Sequence, residues 1–387
     1  MDRFAAVERA LRTAAPHTLL DVVTAALQEA YAATRVELRM ADYSVTTLQT
    51  VGSLPGTTEP VPIHDSPQGR AFGAQEPYVE TDLTERGGRV HLPITIRGDR
   101  MGVLTVSLPE HEYFTGLPQE IQPLCEALGH EIVVAERDTD LYLLARRAAR
   151  LTLAAELQWQ LLPGHSLSRT EYALGAHLEP AYAIFGDNYD WSASAEHLTL
   201  TVTNGMGDGI NAALLTNLAI NALRNARRAG LGPADQAVLA DQAVYAQYQG
   251  AAYVSVLLLR FTLATGDVEI VDAGSPRMWR MRGGSAEPLS FDAQLPLGMF
   301  EDTQYVTEHL RVQPGDRLLI GSDGVYDTVS RAGERYGERA LARSLNATRL
   351  LPPPQVPRAV LREHAGYRGD TPLDDDALIV CLDWYGR

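Results

Sequence analysis

The chain has 387 residues, 45% apolar and 21% charged, a balance that fits a soluble globular protein with two or three cores. Its formal net charge of −16 argues against nucleic acid as a partner, whose phosphates would be repelled. No apolar run approaches the roughly 20 residues that span a bilayer, the N-terminus lacks the apolar stretch and cleavage site of a secretory signal, and the expected location is the cytoplasm.

Taken in chain order, residues 5–32 predict a helix, with Val7, Leu11, Leu19, Leu20, Val23 and Leu27 at helical spacing. RVELRMAD (35–42) and TTLQTVG (46–52) read as strands, and a short helix is expected at 67–74. RVHLPITIRGDRMGVLTVSL (89–108) predicts a hairpin turning at Arg97-Gly98-Asp99-Arg100, and 117–135 returns to helix. Residues 136–162 contain no Gly or Pro and carry a stripe at helical spacing through Leu141, Leu144, Ala148, Leu151, Ala155, Gln158 and Leu162. One helix is expected there, ending at Pro163-Gly164 and serving as a spacer or a homodimer contact. Beyond it, strands are expected at 198–206, 253–261, 267–274, 277–281, 316–325 and 377–384, with helices at 210–230 and 234–248. Many strands beside two consecutive helices predict α+β layering. Cys125 and Cys381 lie far apart without metal-type spacing and read as core.

The acidic residues at strand ends carry the chemistry. Asp187 lies in FGDNYDW, Asp323 in IGSDGVYD, and Asp374, Asp375 and Asp376 precede the strand ALIVCLDW. Carboxylates in apolar surroundings are costly unless paired or metal-bound. Several Asp residues converging from different strands would hold hard cations such as Mg²⁺ or Mn²⁺, with a retained water as nucleophile. Taken singly, each is a turn residue or a helix cap. His64, His91, His130 and His165 are scattered without ligand spacing. The Arg224, Arg227, Arg228 cluster reads as a solvated helix face or a substrate dock.

The N-terminal order of elements, with the phrases SPQGRAFGAQEPYVE and LPITIRGDRMGVLTVS, resembles a GAF domain. That resemblance implies an antiparallel sheet with flanking helices and a sensor role, with the ligand unknown. Across residues 150–387, AAELQWQLLP (154–163), LEPAYAIFGDNYDW (178–191), TVTNGMGDGINAALLTNLAINALR (201–224), DAGSPRMWRM (272–281), LPLGMF (295–300), PGDRLLIGSDGVYD (314–327) and DDDALIV (374–380) resemble, in order, the segments of PPM-type serine/threonine phosphatases of the bacterial SpoIIE/RsbU-like branch. The expected organisation is a GAF-like domain over 1–137, a helical linker over 138–163 and a PPM-type α-β-β-α sandwich over 164–387.

The resemblance implies an enzyme that uses two Mn²⁺ or Mg²⁺ ions to dephosphorylate phosphoserine or phosphothreonine in a partner such as an anti-sigma-factor antagonist. It places Asp187 and Asp323 as catalytic residues. Asp187, Asn204, Gly205, Asp323 and Asp375 become the metal set, with Asp376 as the alternative register to Asp375. Asn204 stands where the family holds the Asp that bridges the two metals. Asp208 is the candidate to offset part of that lost charge. Ser275 for the usual His and Phe185 for the usual Gly are further departures. They leave two alternatives beside the enzyme: a pseudophosphatase, and a regulator whose function lies in the GAF-like domain.

Overall fold

The structure is a computed structural model that describes residues 5–52, 57–82, 87–180, 184–330, 333–337, 339–369, 373 and 375–387. It divides into two compact units at Arg150/Leu151.

The first unit contains α1 (Ala5–Thr13), α2 (Leu19–Tyr31), β1 (Arg35–Ala41), β2 (Thr47–Thr50), β3 (Val61–Pro62), α3 (Pro67–Ala74), β4 (Tyr78–Asp82), β5 (Gly87–Ile96), β6 (Asp99–Pro109), α4 (Leu117–Ala135) and α5 (Leu141–Ala145). Its six strands form one antiparallel sheet in the order β3-β2-β1-β6-β5-β4. The predicted hairpin is β5–β6. Its turn residues Arg97 and Gly98 both take positive φ, at 51° and 92°, which matches the right-handed twist of the strands. The single helix expected over 5–32 is two helices, interrupted by a 3₁₀ turn that begins at Pro16, where a proline cannot continue the ladder.

The single helix expected over 138–163 is also two. The Tyr142 hydroxyl donates to Pro16 O, and Tyr43 N donates to Arg146 O. Tyr142 and Ala145 are buried in the first unit's core, so the segment is held there after five helical residues. Helix formation restarts at α6 (Leu153–Leu161), where the Thr152 side chain accepts from Ala155 N as an N-cap.

The second unit continues with β7 (Ser166–Ser168), β8 (Tyr172–Glu179), β9 (Asn188–Ala193), β10 (His197–Gly205), α7 (Gly209–Arg228), α8 (Pro233–Tyr248), β11 (Val254–Thr262), β12 (Asp267–Ala273), β13 (Arg277–Arg282), β14 (Ser285–Leu289), β15 (Glu308–Arg311), β16 (Arg317–Gly321), α9 (Asp323–Tyr326), α10 (Ala340–Ala347), α11 (Val356–Arg368) and β17 (Ala377–Trp384). Two antiparallel sheets, β15-β12-β11-β10-β9 and β14-β13-β16-β17-β8-β7, pack face to face.

Alternation along each strand sorts side chains between layers. Leu257, Leu259 and Phe261 of β11 join Leu378, Val380 and Leu382 of β17 in the core between the sheets. The intervening Val256 and Leu258 face α7 and α8, while Ala377, Ile379 and Cys381 face α10 and α11. Helices thus cover both outer faces. This explains why these antiparallel strands read as nearly continuous apolar runs. Cys125 and Cys381 are free and buried.

Candidate functional site

One end of the sandwich gathers the acidic residues. The antiparallel register brings the end of β10 beside the starts of β9 and β11, through Thr203↔Asn188 and Gly205↔Val254. The end of β16 meets the start of β17 in the same way, through Gly321↔Ile379. Asp187 precedes β9, Asn204 and Gly205 close β10, Asp323 opens α9, and Asp375 and Asp376 precede β17.

Asp187 and Asp376 are both fully buried. Asp376 Oδ2 accepts from Phe185 N and Asp187 N at 3.0 and 3.1 Å, so this carboxylate folds the 185–187 turn around itself. Its Oδ1 and both oxygens of Asp187 have no hydrogen-bond partner among the described residues. Burial, then the neighbouring Asp376 charge, holds the Asp187 carboxyl well above the ordinary carboxylate range. Burial likewise pushes Asp376 up to about 7. Asp375 is half-buried and pushed up to about 6, first by burial and further by the Asp323 charge, against the hydrogen bond its Oδ1 accepts from Asp376 N. The two registers left open in the sequence are therefore distinct roles: Asp376 faces Asp187, and Asp375 feels Asp323. Asp374 lies outside the described residues.

Asn204 Nδ2 donates to Asp323 Oδ1 and, at 3.3 Å, to Ser275 Oγ. Both amide hydrogens thus have acceptors on neighbouring elements. Asp208, the residue before α7, is exposed and makes no side-chain cap to that helix. Of the basic cluster, Arg228 is exposed, while Arg224 and Arg227 are half-buried and engaged. They clamp the buried Asp190 at 2.7 and 2.9 Å, and Arg224 also holds Leu161 O at the end of α6.

Several contacts that build the site could not be read from the sequence. Gln158 of α6 donates to Asp187 O at 2.9 Å. Ser322 Oγ donates to Asp376 O and accepts from Leu378 N, stapling the start of α9 to the start of β17. Gly324 lies so close to that segment that a Cβ would stand 2.0 Å from Asp376 O. A Cβ on Gly205 would stand 2.5 Å from Thr216 Oγ1, and one on Gly186 would stand 2.6 Å from Gly205 O. The spacing of SDG and GDN hints at tight turns, but only the fold shows what presses on them.

None of Asp187, Asp323, Asp375 and Asp376 is paired with a basic side chain among the described residues. Three buried carboxylate oxygens without partners among the described residues are a donor set suited to an oxygen-seeking divalent cation. As the side chains stand, no three His, Cys, Asp or Glu groups among the described residues converge on one ion. The donors fit such an ion in kind.

Comparison with known proteins supplies the family. Residues 194–385 match the family model of Stage II sporulation protein E (SpoIIE). Two Bacillus subtilis proteins named as phosphoserine phosphatases align: RsbP at 25% identity over 46% of this chain, and RsbU at 21% over 62%. The aligned part covers 46% of RsbP and 71% of RsbU, so the chain spans about half the length of the first. The SiaA-PP2C domain of Pseudomonas aeruginosa superposes with a TM-score of 0.52 at 23% identity, covering 60% of this chain and 93% of that domain. The RsbU and RsbW domains of a Mycobacterium tuberculosis protein give 0.51 at 20%, covering 59% and 64%. The C-terminal domain of this chain belongs to the SpoIIE family, on the fold of PP2C-type phosphatases.

Proposed function

We propose that the second unit is a divalent-metal-dependent protein serine/threonine phosphatase acting on a phosphoprotein partner, with the N-terminal unit as its sensor-like regulator. The observation that carries this is the buried Asp187/Asp376 pair with three unsatisfied oxygens at the end of a PP2C-type sandwich. Leaving such a pair without a counter-charge is expensive, and hard cations bound by oxygen ligands offset it. Asp187, Asp323 and Asp375, with the Asn204 amide oxygen and the Gly205 carbonyl, would hold one or two Mn²⁺ or Mg²⁺ ions. Such an ion supplies an acidified water able to attack phosphorus in line with the leaving serine or threonine oxygen.

The chain's own residues set the stage for this. Asp376 fixes the loop that carries Asp187, and Gln158 steadies the same loop from α6. Asp323 is held in place by the Asn204 amide. The relatives' names point to phosphoserine as the substrate group, and the family resemblance points to an anti-sigma-factor antagonist as its bearer.

A second reading rests on Asn204. A neutral amide hydrogen-bonded to Asp323 satisfies that carboxylate without metal, which favours a pseudophosphatase that binds its partner without turnover. An assay with p-nitrophenyl phosphate, with and without Mn²⁺ and with bound metal counted, separates the two. The enzyme releases phosphate only with the metal; the pseudophosphatase releases none.

A further inference from the structure

Beside the acidic end lies a groove of about 640 Å³, lined by residues that include Asp272, Pro276, Arg277, Trp279 and Phe291. Arg277, at the start of β13, is the only cation among its described lining residues. Its side chain is exposed and forms no ion pair among the described residues. A solvated arginine would be unremarked, but this one is fixed. Its guanidinium carbon lies 4.1 Å above the centre of the Tyr326 ring.

Tyr326 is itself held. Its hydroxyl donates to Ser275 O at 2.6 Å and lies 3.1 Å from Ser275 Oγ. Ser275 Oγ accepts from Asn204 Nδ2, which also donates to Asp323. An unbroken series of contacts therefore ties the guanidinium to the acidic cluster.

A phosphoserine brought to this place carries nearly two negative charges. A cationic side chain at the groove would share the task of balancing them with the divalent ion of the proposed site. A guanidinium seated over a ring and without an ion pair among the described residues has N–H groups to offer, and their fork matches two phosphate oxygens. We propose that Arg277 binds the phosphate of the phosphoserine or phosphothreonine substrate, with the groove giving room to the chain that bears it. This rests on the phosphatase reading above and names the residue that reads the charged group.

The test uses the full chain with Mn²⁺, titrated with inorganic phosphate by calorimetry, with p-nitrophenyl phosphate turnover measured in parallel. Arg277→Ala is expected to weaken phosphate binding by about tenfold, the lower end for a lost charged hydrogen bond, and to raise KM while kcat stays within about threefold. Arg277→Lys, which keeps the charge without the fork, should fall between. Unchanged phosphate affinity in Arg277→Ala, or no phosphate binding by the unaltered chain, overturns the assignment. If the unaltered chain binds phosphate through Arg277 but does not turn over, the assignment stands and the phosphatase reading fails.

Discussion

Asn204 donates one amide hydrogen to Asp323 and the other to Ser275, and a carboxylate at that position has neither to give. Asn204→Asp would set two negative charges side by side. At about 4 Å and an effective dielectric near 20, like unit charges repel by roughly 4 kcal/mol. The metal-free variant is therefore expected to melt below the parent in chelator. With Mn²⁺ it should bind a second ion more tightly and turn over faster. Parallel melting curves and metal titrations read both effects, and a variant that responds no differently to Mn²⁺ refutes this role for Asn204.

The buried carboxyls make a second prediction at the same scale. Asp376 folded keeps its proton up to about pH 7, and Asp187 is shifted the same way by burial. Unfolded, an aspartate titrates near about 3.9. Between those values the folded state binds more protons, so the stability of the metal-free chain falls as pH rises through that window. Asp375, beside Asp323 and pushed to about 6, adds in the same direction. Each kcal/mol lost lowers the midpoint by about 2–4 °C in a domain of this size. Melting in chelator at pH 5 and pH 7.5 checks this. A midpoint that rises across that range contradicts it, and Mn²⁺ should offset most of the fall.

At the scale of elements, the close approach of α9 to the segment before β17 decides where Asp323, Asp375 and Asp376 sit. Gly324 permits it, since a Cβ there would meet Asp376 O at 2.0 Å. Gly324→Ala is expected to cost about 1–3 kcal/mol as an overpacked site and to reduce the response to Mn²⁺. Denaturant unfolding with and without the metal measures both, and unaltered stability refutes the contact.

Much of this end of the fold was legible from residues that must be what they are. Asp323 follows the apolar run that became β16 and Asp376 precedes the one that became β17, whereas β9, which Asp187 precedes, carried no such run and was not expected. Less was legible where a contact from elsewhere decides the outcome. The stripe over 136–162 has the periodicity of one helix, yet Tyr142 bonds to Pro16 and Thr152 caps a new start. The DDD run does not say which carboxylate turns inward, because that depends on the backbone N–H groups of Phe185 and Asp187, far away in sequence.

The whole molecule is two units with separate cores. The homodimer expected from the 136–162 stripe loses part of its contact surface, because Leu151, Ala155 and Gln158 of that stripe are buried. Leu153, 67% exposed, remains its apolar anchor on that segment. Light scattering at high concentration should report a dimer that Leu153→Asp weakens, and a monomeric parent chain removes the proposal. The claim that matters most is that the acidic end of the sandwich works through a divalent ion. Phosphate release from p-nitrophenyl phosphate by the full chain and by Asp323→Ala, with Mn²⁺ and then with excess chelator, tests it most directly. Release that needs Mn²⁺, stops in chelator and is absent in Asp323→Ala is the predicted result; turnover undiminished by chelator would contradict the account.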